Sequence, residues 1–155
     1  MWFVIRTYGV AGLQKHIRHG IERAKHFESL VRSNDNFQIC AKRHLGLTVF
    51  SLKCGNSDTE ALLKAINHDR RLHCVPANLR GTFVIRFVVT SPQTTDADIE
   101  RDWEIIETLA KPIIERSTQM QDKASILESM MQLNNNNVNE SALSLLLCHS
   151  PESPR

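Results

Sequence analysis

The sequence predicts an α+β domain: an antiparallel sheet of about four strands, helices on one face, and a disordered tail. Two observations predict it. Apolar residues alternate between a helical spacing of three or four and a strand spacing of two, in the order helix, strand, strand, helix, strand, strand, helix. Between these segments stand short clusters of turn-forming residues, such as Ser33-Asn34-Asp35-Asn36 and Cys54-Gly55-Asn56.

The first helix is carried by Leu13, Ile17, Ile21, Ala24, Phe27 and Val31, which recur on one face. Gly9 and Gly12 loosen what comes before, so Trp2–Tyr8 is expected as a separate helical turn or two. Phe37, Ile39 and Ala41 alternate with polar neighbours and read as a short strand. Leu47–Leu52 is β-branched and aromatic and reads as the next. Ser57 and Glu60, three apart, are expected to form a capping box opening a helix through Leu62, Leu63 and Ile66. Leu72–Val75 reads as a third strand, stopped by Pro76.

Thr82–Thr90 is the strongest strand. Phe83, Ile85, Phe87 and Val89 make one apolar face, while Val84, Arg86 and Val88 face the other way. Ser91-Pro92 breaks it. Thr95 and Asp98 signal a second cap, and Ile99, Trp103, Ile106, Ala110 and Ile113 trace a helical stripe in which Pro112 should bend or end the helix. These elements give a domain over 1–116, with 1–32 as its opening helix. A further helix is expected over 117–133, and a disordered tail over 134–155, where the asparagine run and the Ser- and Pro-containing end carry little core.

Composition narrows the function. The 155 residues are 41% hydrophobic and 23% charged, with net charge +2, and acids and bases are interspersed. That balance speaks against a nucleic-acid surface, which concentrates base on one face. No apolar run is long enough to span a bilayer. Cys40, Cys54, Cys74 and Cys148 form no C-x-x-C pair and read as free thiols in a reducing cytoplasm. Trp2–Ile5 lacks the charged lead-in of a signal peptide, and the abrupt apolar start suggests a segment that begins within a larger structure. His16, His19 and His26 share the first helix without converging acids or thiols, so exposed helix histidines are the plainer reading and no metal is expected. No nucleophile motif and no phosphate-binding glycine loop occurs. Two residues stand out as site candidates. Arg86, held on a strand, could clamp a carboxylate through its guanidinium, or form an ion pair at an interface. His44 lies in a connection between strands and could reach a neighbouring domain, or be an ordinary loop histidine.

A resemblance adds to this reading. Met1–Val10 (MWFVIRTYGV), Gly12-Leu13-Gln14 with Ile17-Arg18, and Phe27–Arg32 (FESLVR) follow one another as in the C-terminal domain of group II pyridoxal-phosphate-dependent amino-acid decarboxylases. So do Glu60–Leu63 with Asn67, Leu72–Pro76 (LHCVP), Phe83–Phe87 (FVIRF) and Asp102-Trp103. The likeness runs from Met1 to about Ile114. Arg43–Leu47, Thr94-Thr95 and the Asp98-Ile99…Asp102-Trp103 block resemble the histidine-decarboxylase branch, and the tail resembles its arthropod members. Phe37–Cys40 and Tyr8–Val10 resemble the aromatic-amino-acid or tyrosine decarboxylases instead.

The resemblance implies the small domain of a fold-type-I enzyme, packed on a large pyridoxal-phosphate domain of the same polypeptide and active as a cytoplasmic homodimer. It implies histidine decarboxylation in the whole enzyme, with no nucleic-acid or membrane partner. The Schiff-base lysine lies in an N-P-H-K stretch that this chain lacks; Lys15-His16 has the reverse order. No catalytic or cofactor-binding residue is therefore expected here, nor cofactor bound by this chain alone. Arg86 matches the arginine of the family's I-R-F strand, on the side toward the active site. The rival reading is a free-standing α+β interaction module.

Overall fold

A computed structural model describes residues 2–147, with side chains described through Met131. The elements are α1 (Trp2–Ser33), β1 (Phe37–Ile39), β2 (Leu47–Leu52), α2 (Asn56–Asp69), β3 (Val75–Leu79), β4 (Thr82–Val88) and α3 (Asp96–Leu147). The strands form one antiparallel sheet in the order β1-β2-β4-β3, so β2 and β4 are interior and β1 and β3 are edges. The chain divides into two compact units, Met1–Glu115 and Arg116–Arg155.

Within the first unit the core lies on one face of the sheet. Phe50 and Leu52 of β2 and Ile85 and Phe87 of β4 meet Phe27 and Val31 of α1. Leu62 and Ile66 of α2, and Ile99, Trp103 and Ile106 of α3, complete it. Register explains the assignment. Thr48 pairs with Phe87 and Phe50 with Ile85, and alternate residues of a strand leave the same side. The α+β sandwich read from the sequence is the observed fold. Phe27 is its centre: its ring stacks on Phe87 at 3.9 Å between centroids and meets Phe50 and Trp103 edge-on at 5.7 and 5.8 Å. Phe37 joins the group through Trp103, at 4.9 Å.

Several expectations are corrected in detail. The third strand is Val75–Leu79, not Leu72–Val75, and Pro76 lies inside it opposite Ile85. Proline removes a donor from a ladder, but β3 is an edge strand and has one ladder to spare. Cys74, just ahead of it, is held instead by Asn67, which accepts from the Cys74 N–H at 2.9 Å and donates to its carbonyl at 3.0 Å.

The Ser57–Glu60 capping box does not form. Gly55 is the N-cap of α2, with no side-chain cap bond. Asn56 turns away to the β3–β4 turn, donating to the Gly81 carbonyl and accepting from the Phe83 N–H. The Thr95–Asp98 cap does form: each backbone N–H donates to the other residue's side chain, at 2.9 and 3.3 Å. The Thr95 amide, the Thr95 hydroxyl and Arg101 together hold the Asp98 carboxyl below the usual carboxylate range.

Pro112 does not end α3. It is exposed, as is Thr108, whose carbonyl loses its intrahelical donor, so water can take that bond. In α1 the break falls at Gly9 alone, where φ is 60° and ψ −177°, and Trp2–Tyr8 is helical ahead of it. In the second unit, residues 117–131 are helical within α3 rather than as a separate element. The tail expected over 134–155 falls on residues whose side chains lie outside those described, and from 148 onward the backbone does as well.

Phe27→Ala removes the ring on which four elements converge. It should lower unfolding free energy by about 3–5 kcal/mol, the usual cost of an unfilled aromatic site. Urea denaturation followed by tryptophan fluorescence measures it; a loss below about 1 kcal/mol would show that the cluster closes around the gap.

Candidate functional site

The sheet's second face carries no helix core. Alternation along β4 sends Thr82, Val84, Arg86 and Val88 to this side. Along β2 it sends Leu47, Val49 and Ser51, and along β3 Val75, Ala77 and Leu79. Val49 and Val75 stand directly opposite Arg86 on its two neighbouring strands. Val75 is 46% exposed, Val88 47% and Leu79 38%. Val84 and Ser51 are buried even on this side, so the open part is Val75, Leu79, Val88 and the half-buried Val49 around one guanidinium. Arg86 is exposed, and among the described residues its side chain makes no hydrogen bond or ion pair. Its rigid strand and open fork leave five donors available to a carboxylate or phosphate.

His44 is placed on the same face. It forms an isolated antiparallel bridge with Leu47, through N–H to carbonyl bonds of 3.3 and 3.0 Å, and Leu47 in turn lies opposite Val88. His44 thus heads the row next to that of Arg86, separated from it by β2. The turn between them is tight. Leu45 has φ of 52° and is exposed, and Gly46 approaches β4 closely: a Cβ there would lie 3.0 Å from the Val89 carbonyl oxygen, while the Val89 N–H donates to Gly46.

A charged knot fixes this turn to the helix layer. The Glu28 carboxylate of α1 accepts from Arg43 Nε at 2.9 Å, and from Arg32 at 2.8 and 3.1 Å. Arg43 also donates to the Leu45 carbonyl at 3.4 Å. The Arg32 guanidinium, helped by Arg43, holds the Glu28 carboxyl below its ordinary value despite partial burial. Nothing in the sequence marked Glu28 or Arg43 as a pair; they are fifteen residues apart with no common motif.

The helix histidines have structural partners. His19 Nε2 lies 2.9 Å from the Thr94 carbonyl, and His26 Nε2 lies 3.3 Å from Glu100, so two of the three bind α1 to the start of α3 and its lead-in. Arg23 pairs with Asp96 in the same seam. Among the described residues no group of three His, Cys, Asp or Glu is placed to hold a metal. Nor is any described helix long and apolar enough to cross a membrane. Cys74 is buried, and burial pushes its thiol up to about 11, which makes it a poor nucleophile at neutral pH. Beside α1, a concavity of about 460 Å³ is lined by Val4, Tyr8, Leu13, His16, His19 and Pro92, without an acid. Among the described residues no nucleophile–base pair is brought together, and what the arrangement offers is binding and positioning.

Comparison with known proteins agrees with this geometry. Residues 1–53 match the family model described as the pyridoxal-dependent decarboxylase conserved domain. The chain is 43% identical to histidine decarboxylase of Drosophila melanogaster over all 155 residues, which is 18% of that protein. It is 54% identical to histidine decarboxylase of Homo sapiens over 114 residues, 74% of this chain and 17% of that one. Against aromatic-L-amino-acid decarboxylase of Cavia porcellus the identity is 46% over 114 residues, 24% of that protein. Among solved structures, tryptophan decarboxylase of Catharanthus roseus in complex with L-tryptophan superposes with a TM-score of 0.67 at 31% identity, over 72% of this chain and 25% of that one. The chain thus spans between about a sixth and a quarter of the length of these relatives.

Glu28→Gln should loosen the 43–47 turn and flatten the acid limb of the stability curve. A depressed folded-state pKa stabilises above the unfolded value of about 4.5 and is lost as pH falls through the folded value. At pH 7 the variant should therefore unfold at lower urea than the wild type, and the two should converge below the carboxylate range. Parallel curves from pH 7 to pH 3 would remove Glu28 from the account.

Proposed function

Because this chain belongs to the pyridoxal-dependent decarboxylase family, we propose that it is the C-terminal part of a pyridoxal-phosphate-dependent L-histidine decarboxylase, which converts histidine to histamine and carbon dioxide. One observation carries the choice of branch. Identity to histidine decarboxylases is higher over an equal length than to the aromatic-amino-acid enzyme, 54% against 46%, and the insect histidine decarboxylase matches through the tail as well.

The residues of this chain do not fit the cofactor by themselves. A Schiff-base lysine works when burial or a neighbouring charge lowers its pKa. Every lysine here, from Lys15 to Lys123, is exposed. The chain is accordingly read as non-catalytic alone, the lysine and the groups that hold the pyridine ring belonging to a large domain of the same polypeptide. The whole enzyme is read as a cytoplasmic homodimer.

In that setting the open sheet face does the work assigned to this segment. Its valines and leucines supply apolar area for the large domain to cover. Arg86, in their midst, would be desolvated on packing, which strengthens any pairing with a carboxylate of the substrate or of a mobile loop. His44 would reach the same neighbour from the adjoining row. Both are positioning residues in this reading.

The test uses the full-length enzyme. Arg86→Ala should keep pyridoxal phosphate bound, by its visible absorbance, while kcat/KM for histidine falls by about tenfold or more. Unchanged turnover by a folded variant would remove Arg86. Product analysis with histidine and with dopa decides the branch: histamine supports the reading, and dopamine alone would move the chain to the aromatic-amino-acid enzymes. Release of neither amine, from an intact soluble protein supplied with cofactor, would favour the free-standing interaction module.

A further inference from the structure

The second unit carries a surface that the proposed function does not use. Residues 116–131 of α3 are helical, and their large apolar side chains are exposed: Met120 by 65%, Ile126 by 59%, Leu127 by 58%, Met130 by 63% and Met131 by 68%. They are not scattered. At 100° per residue Met120, Ala124, Leu127 and Met131 fall in one line, with steps of four, three and four; Met130 flanks that line, and Ile126 lies on another face. Those steps are the seam of a coiled coil, with Met120 and Leu127 at d and Ala124 and Met131 at a.

We propose that this stretch pairs in parallel with the same stretch of a second copy of this chain. Charge complementarity selects that occupant and that orientation. Flanking the seam, Arg116, Lys123 and Met130 take the g positions and Gln121 and Glu128 the e positions, so the charged g–e pair is Lys123 with Glu128. In a parallel pair the g position of one helix faces the following e position of its partner, so Lys123 meets Glu128 twice by symmetry. An antiparallel pair that buried the same four residues would set Lys123 beside Met130 and Glu128 beside Gln121, with no opposite charge for either. A mixed edge of this kind suits a self-partner, whereas a one-sign edge would call for a partner of the opposite sign. The methionines favour contact without demanding a single packing, since their side chains adapt to the opposing surface. The match to the Drosophila protein extends through this stretch. The inference stands apart from the decarboxylase reading, since it uses only the second unit.

Sedimentation equilibrium of the 155-residue chain, from about 1 μM to about 1 mM, tests it. A monomer–dimer equilibrium is expected, with Kd raised at least about tenfold by Leu127→Glu. Lys123→Glu and Glu128→Lys should each weaken the dimer, and the double variant K123E/E128K should restore it to within about threefold of the wild type. All these positions are exposed, and far-ultraviolet circular dichroism checks that each variant keeps its helix. A chain that stays monomeric throughout would overturn the proposal. So would a dimer that Leu127→Glu leaves unmoved, since another face would then hold it, or a double variant no tighter than its singles.

Discussion

The stacking of Phe27 on Phe87 is the contact from which the rest of the first unit follows. It joins the opening helix to an interior strand face to face, and the edges of Phe50 and Trp103 close around it. A ring buried on all sides fixes the rotation of α1, because turning the helix by one residue would move Phe27 about 100° off the sheet. With α1 held, Glu28 is brought to Arg43, His19 to Thr94 and Arg23 to Asp96. The polar seams are consequences of the aromatic one. Exposed or half-exposed pairs of this kind contribute little alone, whereas the aromatic burial is worth several kcal/mol.

The same contact gives the sheet two unlike faces. Once Phe87 and Ile85 point into the core, Arg86 and Val88 have nowhere to go but out. The open part of the outward face is then Val75, Leu79 and Val88 around a single guanidinium, on strands whose register is set from behind. A side chain presented this way is held in place by interactions it does not itself make. Arg86 and His44 share that face through the His44–Leu47 bridge and the β2–β4 register, although β2 stands between them.

The sequence was most informative where one element settles its own conformation. β4 alternates without a break, and Thr95 with Asp98 caps a helix using atoms three residues apart; both were legible. It was least informative where a partner decides. Pro76 reads as a strand end, yet an edge strand tolerates it. Ser57 and Glu60 have the spacing of a cap, but Asn56 is drawn to the β3–β4 turn and the helix begins on Gly55. Pro112 reads as a stop, yet its turn is exposed and the helix continues. For the site, alternation alone gave Arg86 its face. The pinning of the His44 turn through Glu28 was invisible, because it joins residues brought near only by the packing of α1 on the sheet.

The account rests on this chain being a scaffold and interface segment whose chemistry needs another domain. The direct measurement supplies the purified 155-residue protein with pyridoxal phosphate and carboxyl-labelled histidine, and follows both borohydride-trapped cofactor and released labelled carbon dioxide. No lysine-linked cofactor and no carbon dioxide above a protein-free blank are expected. Stoichiometric trapping on one lysine together with catalytic release of carbon dioxide would contradict the account at its root.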